Sequence, residues 1–182
     1  TCPMHTEIRQ EGPGSCPISG MAIETETVTA EAPPNHELID FTRRFWVGLV
    51  LTLPVFALEM GGHLANLHMF IPGQMSNWIQ FALATPVVLW CGWPFFERGW
   101  TSLRTRRLNM FTLIAMGVGV AWLYSVVAVV APTLFPPAFL KADGSAPVYF
   151  EAAAVITVLV LVGQILELRA REQTSGAIRA LL

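Results

Sequence analysis

The chain has 182 residues, of which 53% are hydrophobic and only 13% charged, with a formal net charge of −2. Soluble domains carry roughly 25% charged residues, so this composition excludes the ordinary solvated globular class and points to a protein whose solvent is lipid. The few charges gather between long apolar runs, and no nucleic-acid partner is expected.

The sequence opens at Thr1, and because no basic, apolar, small-residue leader precedes its first motif, no signal peptide is expected there. Residues 1–26 form a polar head that reads Cys2-Pro3-Met4-His5 and then Cys16-Pro17-Ile18-Ser19-Gly20-Met21, with Gly12-Pro13-Gly14 supplying a turn between the two knuckles. Thiolate, thioether and imidazole are the donors that monovalent copper or silver prefers. Three cysteines, Cys2, Cys16 and the more distant Cys91, suit soft-metal chemistry better than a disulfide framework. The plainer alternative is a tail that binds nothing tightly. Residues 27–40, rich in Glu, Thr, Ala and Pro without a helical period, are expected to be a flexible linker.

From Phe41 onward four stretches are apolar over the roughly 20 residues that a helix needs to cross about 30 Å of hydrocarbon. They run at about 41–60, 78–96, 108–131 and 149–168, within a transmembrane region of 41–170. Gly61-Gly62 and Pro72-Gly73 punctuate the first break; Pro132, Pro136, Pro137 and Gly144 punctuate the third. Basic residues fix the orientation. Arg43 and Arg44 precede span one, Arg98, Arg104, Arg106 and Arg107 separate spans two and three, and Arg169, Arg171 and Arg179 follow span four, whereas the opposite side has Lys141. Both ends of the segment are therefore expected in the cytoplasm. The fold class expected is an all-α membrane protein: four transmembrane helices behind a small Cys/Met/His head, with residues 171–182 leading away from the bilayer.

Span two contains Cys91-Gly92-Trp93-Pro94, and Pro94, which removes a helical hydrogen bond, predicts a kink. Residues 97–107 alternate Trp100 and Leu103 with Arg98, Arg104, Arg106 and Arg107, which reads as an amphipathic helix on the cytoplasmic interface. Two roles fit it: anchoring to lipid headgroups, or a basic platform on which a copper chaperone or the head itself docks.

Ionisable groups inside spans are costly and are default functional candidates. Glu59, at the outer end of span one, reads as a solvated helix end. Glu167, near the inner end of span four, falls at the depth of Met110 at the start of span three, and a carboxylate with a thioether suits a weak, transient uptake site for monovalent copper. On the residues alone, core filler is the favoured reading of Met110, since methionines in helices usually serve that way. Gly117 and Ala121 continue its face as a small-residue stripe, which predicts that Met110 points toward a partner helix. Glu151 opens span four about 24 Å from Glu167 and about 160° away around the helix, so the two would serve different faces.

Together these residues resemble a known family. The run 86–96 around Cys91-Gly92, the run Leu108-Asn109-Met110-Phe111-Thr112, and Tyr149-Phe150-Glu151 through Glu167-Leu168-Arg169 resemble the first four helices of bacterial copper-transporting P-type ATPases. The head is similar to the small heavy-metal-binding domain of some copper and silver transporters, with Ser19 in place of that domain's further cysteine, which leaves Cys2, Met4, His5, Cys16 and Met21 as soft donors. The resemblance implies that Met110 and Glu167 belong to the cytosolic uptake site and Glu151 to the exit path. It also implies that Gly92 is half of the double glycine that bends the platform helix, with Cys91 replacing the other half. The implied function is ATP-driven export of copper(I) from the cytoplasm across the bacterial inner membrane. ATP and Mg²⁺ would act in domains to which residues 171–182 lead; these 182 residues contain neither the Asp-Lys-Thr-Gly-Thr phosphorylation motif nor a Cys-Pro-Cys site. The partners implied are the lipid bilayer, a cytosolic copper chaperone or carrier, and the remaining ATPase domains. A reading from another class is a non-catalytic membrane reservoir for copper or silver.

Overall fold

The computed structural model describes Cys2, residues 5–11, Gly14, residues 16–18, Ile23, and residues 36–64, 72–141 and 144–180, without the side chains of 62–64 and 175–180. Five helices organise the described residues: α1 (His36–Leu64), α2 (Gly73–Pro86), α3 (Trp93–Arg104), α4 (Met110–Val130) and α5 (Phe150–Ala180). A π turn, Val87–Cys91, follows α2, and no strand occurs among the described residues. Helices α1, α4 and α5 are each long and apolar enough to cross a membrane, and the α2–π-turn–α3 pair makes a fourth span bent by 56°. The arm from Gly73 to Cys91 is about 28 Å long at the α-helical rise, close to one hydrocarbon thickness.

Several boundaries differ from the sequence reading. Helix α1 starts at His36, so the last five linker positions are helical; Glu37 sits in its first turn and Asp40 ion-pairs with Arg44 one turn on, at 2.7 Å. Residues 27–35 lie outside the described residues. Gly61-Gly62 continues α1 rather than ending it, since glycine is tolerated in membrane helices. Span two begins earlier in sequence than Trp78, at Gly73, and α5 runs on well past Leu168.

The bend lies within the run Cys91-Gly92-Trp93-Pro94, where a kink is expected. It falls at Gly92, whose N–H reaches back to the Val87 carbonyl at 3.0 Å, an i→i−5 bond that closes the π turn. A Cβ on Gly92 would sit 2.4 Å from the Val88 carbonyl oxygen, so only glycine fits. Pro94 falls in the first turn of α3, where a missing N–H is tolerated. Its effect is felt by the Trp90 carbonyl, four residues back, which a continuing helix would have paired with that N–H. Arg44 of α1 donates to this carbonyl and stacks over the Trp90 ring. The backbone group freed by the bend is thereby satisfied within the protein, as hydrocarbon requires.

Packing is continuous through the bundle. Phe41, Cys91, Phe95, Phe111, Leu161, Ile165 and Leu168 form one apolar cluster toward the arginine-rich end. Ala84, Val87, Val129, Phe150, Ala154 and Val158 form another toward the opposite end. Helices α3 and α4 approach so closely that a Cβ on Gly99 would lie 2.8 Å from Ala115 Cβ and 2.9 Å from the Phe111 carbonyl. The turn joining them is a Schellman closure: Arg107 N–H donates to Ser102 O and Arg106 N–H to Leu103 O, both at 3.1 Å, with Arg106 left-handed at φ 56°. A capping box of Asn109 and Thr112 then starts α4. Thr112 Oγ1 donates to Ser102 Oγ at 2.9 Å, and Ser102 Oγ in turn donates to the Arg107 carbonyl, which ties the turn to the helix it starts.

Candidate metal centre and its surroundings

In the head the chain folds back on itself, with His5 N–H donating to Cys2 O at 3.2 Å and Ile23 N–H to Gly14 O at 2.9 Å. This turn brings Cys2, His5 and Cys16 together, with the two sulfurs and one ring nitrogen all within 4.8 Å of one another. Each sulfur is 3.8 Å from His5 Nδ1, and both cysteines are buried. An ion about 2.3 Å from sulfur and about 2.1 Å from nitrogen sets such atoms roughly 3.6–3.8 Å apart at tetrahedral to trigonal angles, so the spacing fits. Two thiols and an imidazole are a soft donor set, suited to copper(I) or silver(I). Met4 and Met21, the thioethers expected to join them, lie outside the described residues, as does Ser19.

The head rests on the α3–α4 turn. Arg107 Nη1 is 2.6 Å from His5 Nε2, and Thr105 Oγ1 donates to the Ile18 carbonyl at 2.9 Å.

At the same end of the bundle, Glu167 is exposed on α5, accepts from Gln164 Nε2 at 3.1 Å and pairs with Arg171 at 2.8 Å. Gln164 is itself buried and accepts from Arg98 Nη1 at 3.4 Å. Arg98 is the expected platform residue that the structure relocates. It faces inward, ion-paired with Glu37 and lying over the rings of Phe41 and Phe111 at 5.4 and 5.2 Å, so it is not free to receive a docking partner. Arg104, by contrast, is exposed in the last turn of α3, alongside exposed Trp100 and Leu103.

Met110 opens α4 with 56% of its surface exposed. Its neighbour Phe111 and Glu167's neighbour Leu168 belong to the same apolar cluster, at the arginine-rich end of the bundle. The stripe that was expected to meet a partner helix does so only in part: Ala121 packs against the cluster of Val88, Val118 and Ala153, whereas a Cβ on Gly117 would find nothing within 4 Å. Gly117 and Ala121 floor an open groove with Leu113, Met116, Val120, Tyr124 and Tyr149. Cys91 is buried between helices, with its Sγ 3.4 Å from where a Cβ on Gly48 would stand.

Glu151 lies in the first turn of α5 at the far end, half-buried. Glu59 at that end is not simply a solvated terminus, since its Oε2 accepts at 3.0 Å from buried Gln80 across the α1–α2 contact. Gln164 and Gln80 escaped the sequence reading because only ionisable groups were weighed; an amide inside an apolar span, with a carboxylate three residues along for Gln164, was the available signal.

Residues 1–24 match the Heavy metal binding domain family. Over all 182 residues the chain is 65% identical to a Copper-exporting P-type ATPase of Legionella pneumophila, covering 24% of that protein. It is 64% identical to a Silver exporting P-type ATPase of Salmonella typhimurium and 53% identical to a Copper-transporting P-type ATPase of Rhizobium leguminosarum, spanning 22% of each. The whole chain is similar to the amino-terminal part of metal-transporting P-type ATPases. It spans about a quarter of the length of these relatives.

Proposed function

We propose that this chain is the amino-terminal region of an ATP-driven exporter of a soft monovalent metal ion, copper(I) or silver(I), supplying the head that captures the ion and the helices that first admit it. One observation carries the reading: similarity that runs unbroken through head and spans to P-type ATPases named for copper and silver. The Cys2–His5–Cys16 grouping is the chemical counterpart of those names. ATP and Mg²⁺ act, in this reading, in the part of the longer protein that the chain does not span.

In the same reading Met110 and Glu167 take up the ion at the arginine-rich end, and Glu151 receives it at the other. The exposure of Met110 and the open groove along Gly117 and Ala121 suit a face on which further helices of a protein some four times longer would pack. The arginine-rich end faces the cytoplasm of a bacterial inner membrane by the positive-inside rule. The exposed Trp100, Leu103 and Arg104 offer a surface for lipid headgroups or for a metal-carrying chaperone.

The uptake assignment is tested in the full-length exporter. Met110→Leu and Glu167→Gln are each expected to lower copper-stimulated ATPase activity about tenfold, the equivalent of one lost interaction of about 1.4 kcal/mol, while metal binding to the head is unchanged. Wild-type stimulation in both variants would remove Met110 and Glu167 from the path.

A further inference from the structure

We propose that Arg107 and a soft metal ion compete for His5, so that the head is docked on the α3–α4 turn when empty and released from it when loaded. The inference rests on the reading that Cys2, His5 and Cys16 bind metal, and it adds a regulation of that site.

Donor and acceptor inventory fixes the tautomer of the empty site. A guanidinium has only donors, so the 2.6 Å contact between Arg107 Nη1 and His5 Nε2 requires Nε2 to be the acceptor. In a neutral imidazole the proton then sits on Nδ1, which faces the sulfurs of Cys2 and Cys16, each 3.8 Å away. A metal ion held by those sulfurs needs the lone pair of Nδ1. Its arrival displaces the Nδ1 proton to solvent, and a proton taken up at Nε2 keeps the ring neutral. Nε2–H now points at another donor, and the bond to Arg107 is replaced by donor–donor repulsion beside a fixed positive charge.

A second contact between head and turn is one that can be exchanged. Thr105 Oγ1 donates to Ile18 O at 2.9 Å, but the same hydroxyl is 3.0 Å from Thr101 O and 3.2 Å from Ser102 O, so it has intrahelical acceptors to turn to. Arg107, on the other hand, is held firmly: its N–H and carbonyl are both bonded to Ser102, and left-handed Arg106 precedes it. The turn thus fixes the backbone from which the Arg107 side chain reaches the imidazole whose tautomer reports the metal. Because the two equilibria share His5, the factor by which Arg107 weakens metal binding must equal the factor by which metal weakens docking.

The test uses the full chain in lipid nanodiscs, with silver(I) as a redox-stable probe. Arg107→Met is expected to bind silver(I) about ten- to a hundredfold more tightly than wild type, the range for one hydrogen bond to a charged group. Arg107→Gln, whose amide oxygen can accept from Nε2–H, should bind tighter still, and Arg107→Lys, which keeps charge and donors, should stay near wild type. In ¹⁵N-histidine-labelled chain, the His5 resonances, assigned by their loss in His5→Gln, should show the protonated nitrogen changing from Nδ1 to Nε2 as silver(I) is added. Probes placed through non-canonical amino acids at Gln10 and Arg104 should move apart over the same titration. Equal affinities for wild type, Arg107→Met and Arg107→Gln, or an unchanged probe distance at saturation, would overturn the competition. Silver(I) binding that is absent, or indifferent to Cys2→Ser and Cys16→Ser, would instead overturn the metal reading beneath it.

Discussion

Arg98 shows how much one side chain can decide. Its two terminal nitrogens fork between Glu37 on α1 and Gln164 on α5, and Gln164 holds Glu167 with its other end. Three helices and the candidate uptake carboxylate therefore hang on one guanidinium. Replacing it by methionine keeps the stem over Phe41 and Phe111 but leaves Glu37 unpaired in a half-buried position, at an expected cost of about 2–3 kcal/mol. Lysine can keep one arm of the fork and should cost about half as much in thermal unfolding in detergent. Equal losses from both variants would mean the fork is not used. The sequence reading placed Arg98 with the basic platform because a charge at a membrane edge looks the same whether it faces headgroups or a carboxylate. Its partner is 61 positions upstream, and no local pattern encodes that pairing. The Cys2–His5–Cys16 grouping was legible for the opposite reason: its donor types are rare and their chemistry is specific.

At the scale of elements, the apolar runs announced every span, because hydrocarbon thickness sets a length that composition alone can match. What composition leaves open is how the elements meet. The kink expected in the Cys91–Pro94 run is there, but it turns on Gly92 more than on the missing N–H of Pro94, since a π turn is decided by backbone crowding and by whether Arg44 can reach the orphaned Trp90 carbonyl. Gly117 likewise faces open space, while Gly99, which the sequence reading passed over, is where two helices touch. Gly99→Leu is expected to destabilise the chain by about 1–3 kcal/mol through overpacking against Ala115 and the Phe111 carbonyl. Gly117→Leu should change stability by less than about 0.5 kcal/mol in the same thermal assay. A reversal of that order would contradict the α3–α4 contact.

Across the whole molecule, one end gathers the head, the α1 start, the α3–α4 turn and Glu167, and the other gathers Glu59, Asn77, Ala146 and Glu151. Asn77 Nδ2, donating to Ala146 O at 3.1 Å, ties α2 to the segment before α5, as Arg98 ties α3 to α1 and α5 at the near end. Cysteines placed singly at Lys141 and Arg104, in a chain whose native cysteines are replaced, should react with an impermeant maleimide from opposite sides of sealed vesicles. Labelling of both from one side would break the bundle's topology and the shared depth of Met110 and Glu167. Between the two ends stands the π turn. A five-residue hydrogen-bonded loop is an α-helix with one residue to spare, and each residue turns the helix beyond it by about 100°. The rotational phase of α3, with Phe95, Gly99 and Ser102 all turned inward, is therefore set by counting rather than by compliance. The bend is a gear tooth, not a spring, and the surface it presents at the arginine-rich end would be lost by a change of one in the length of the chain.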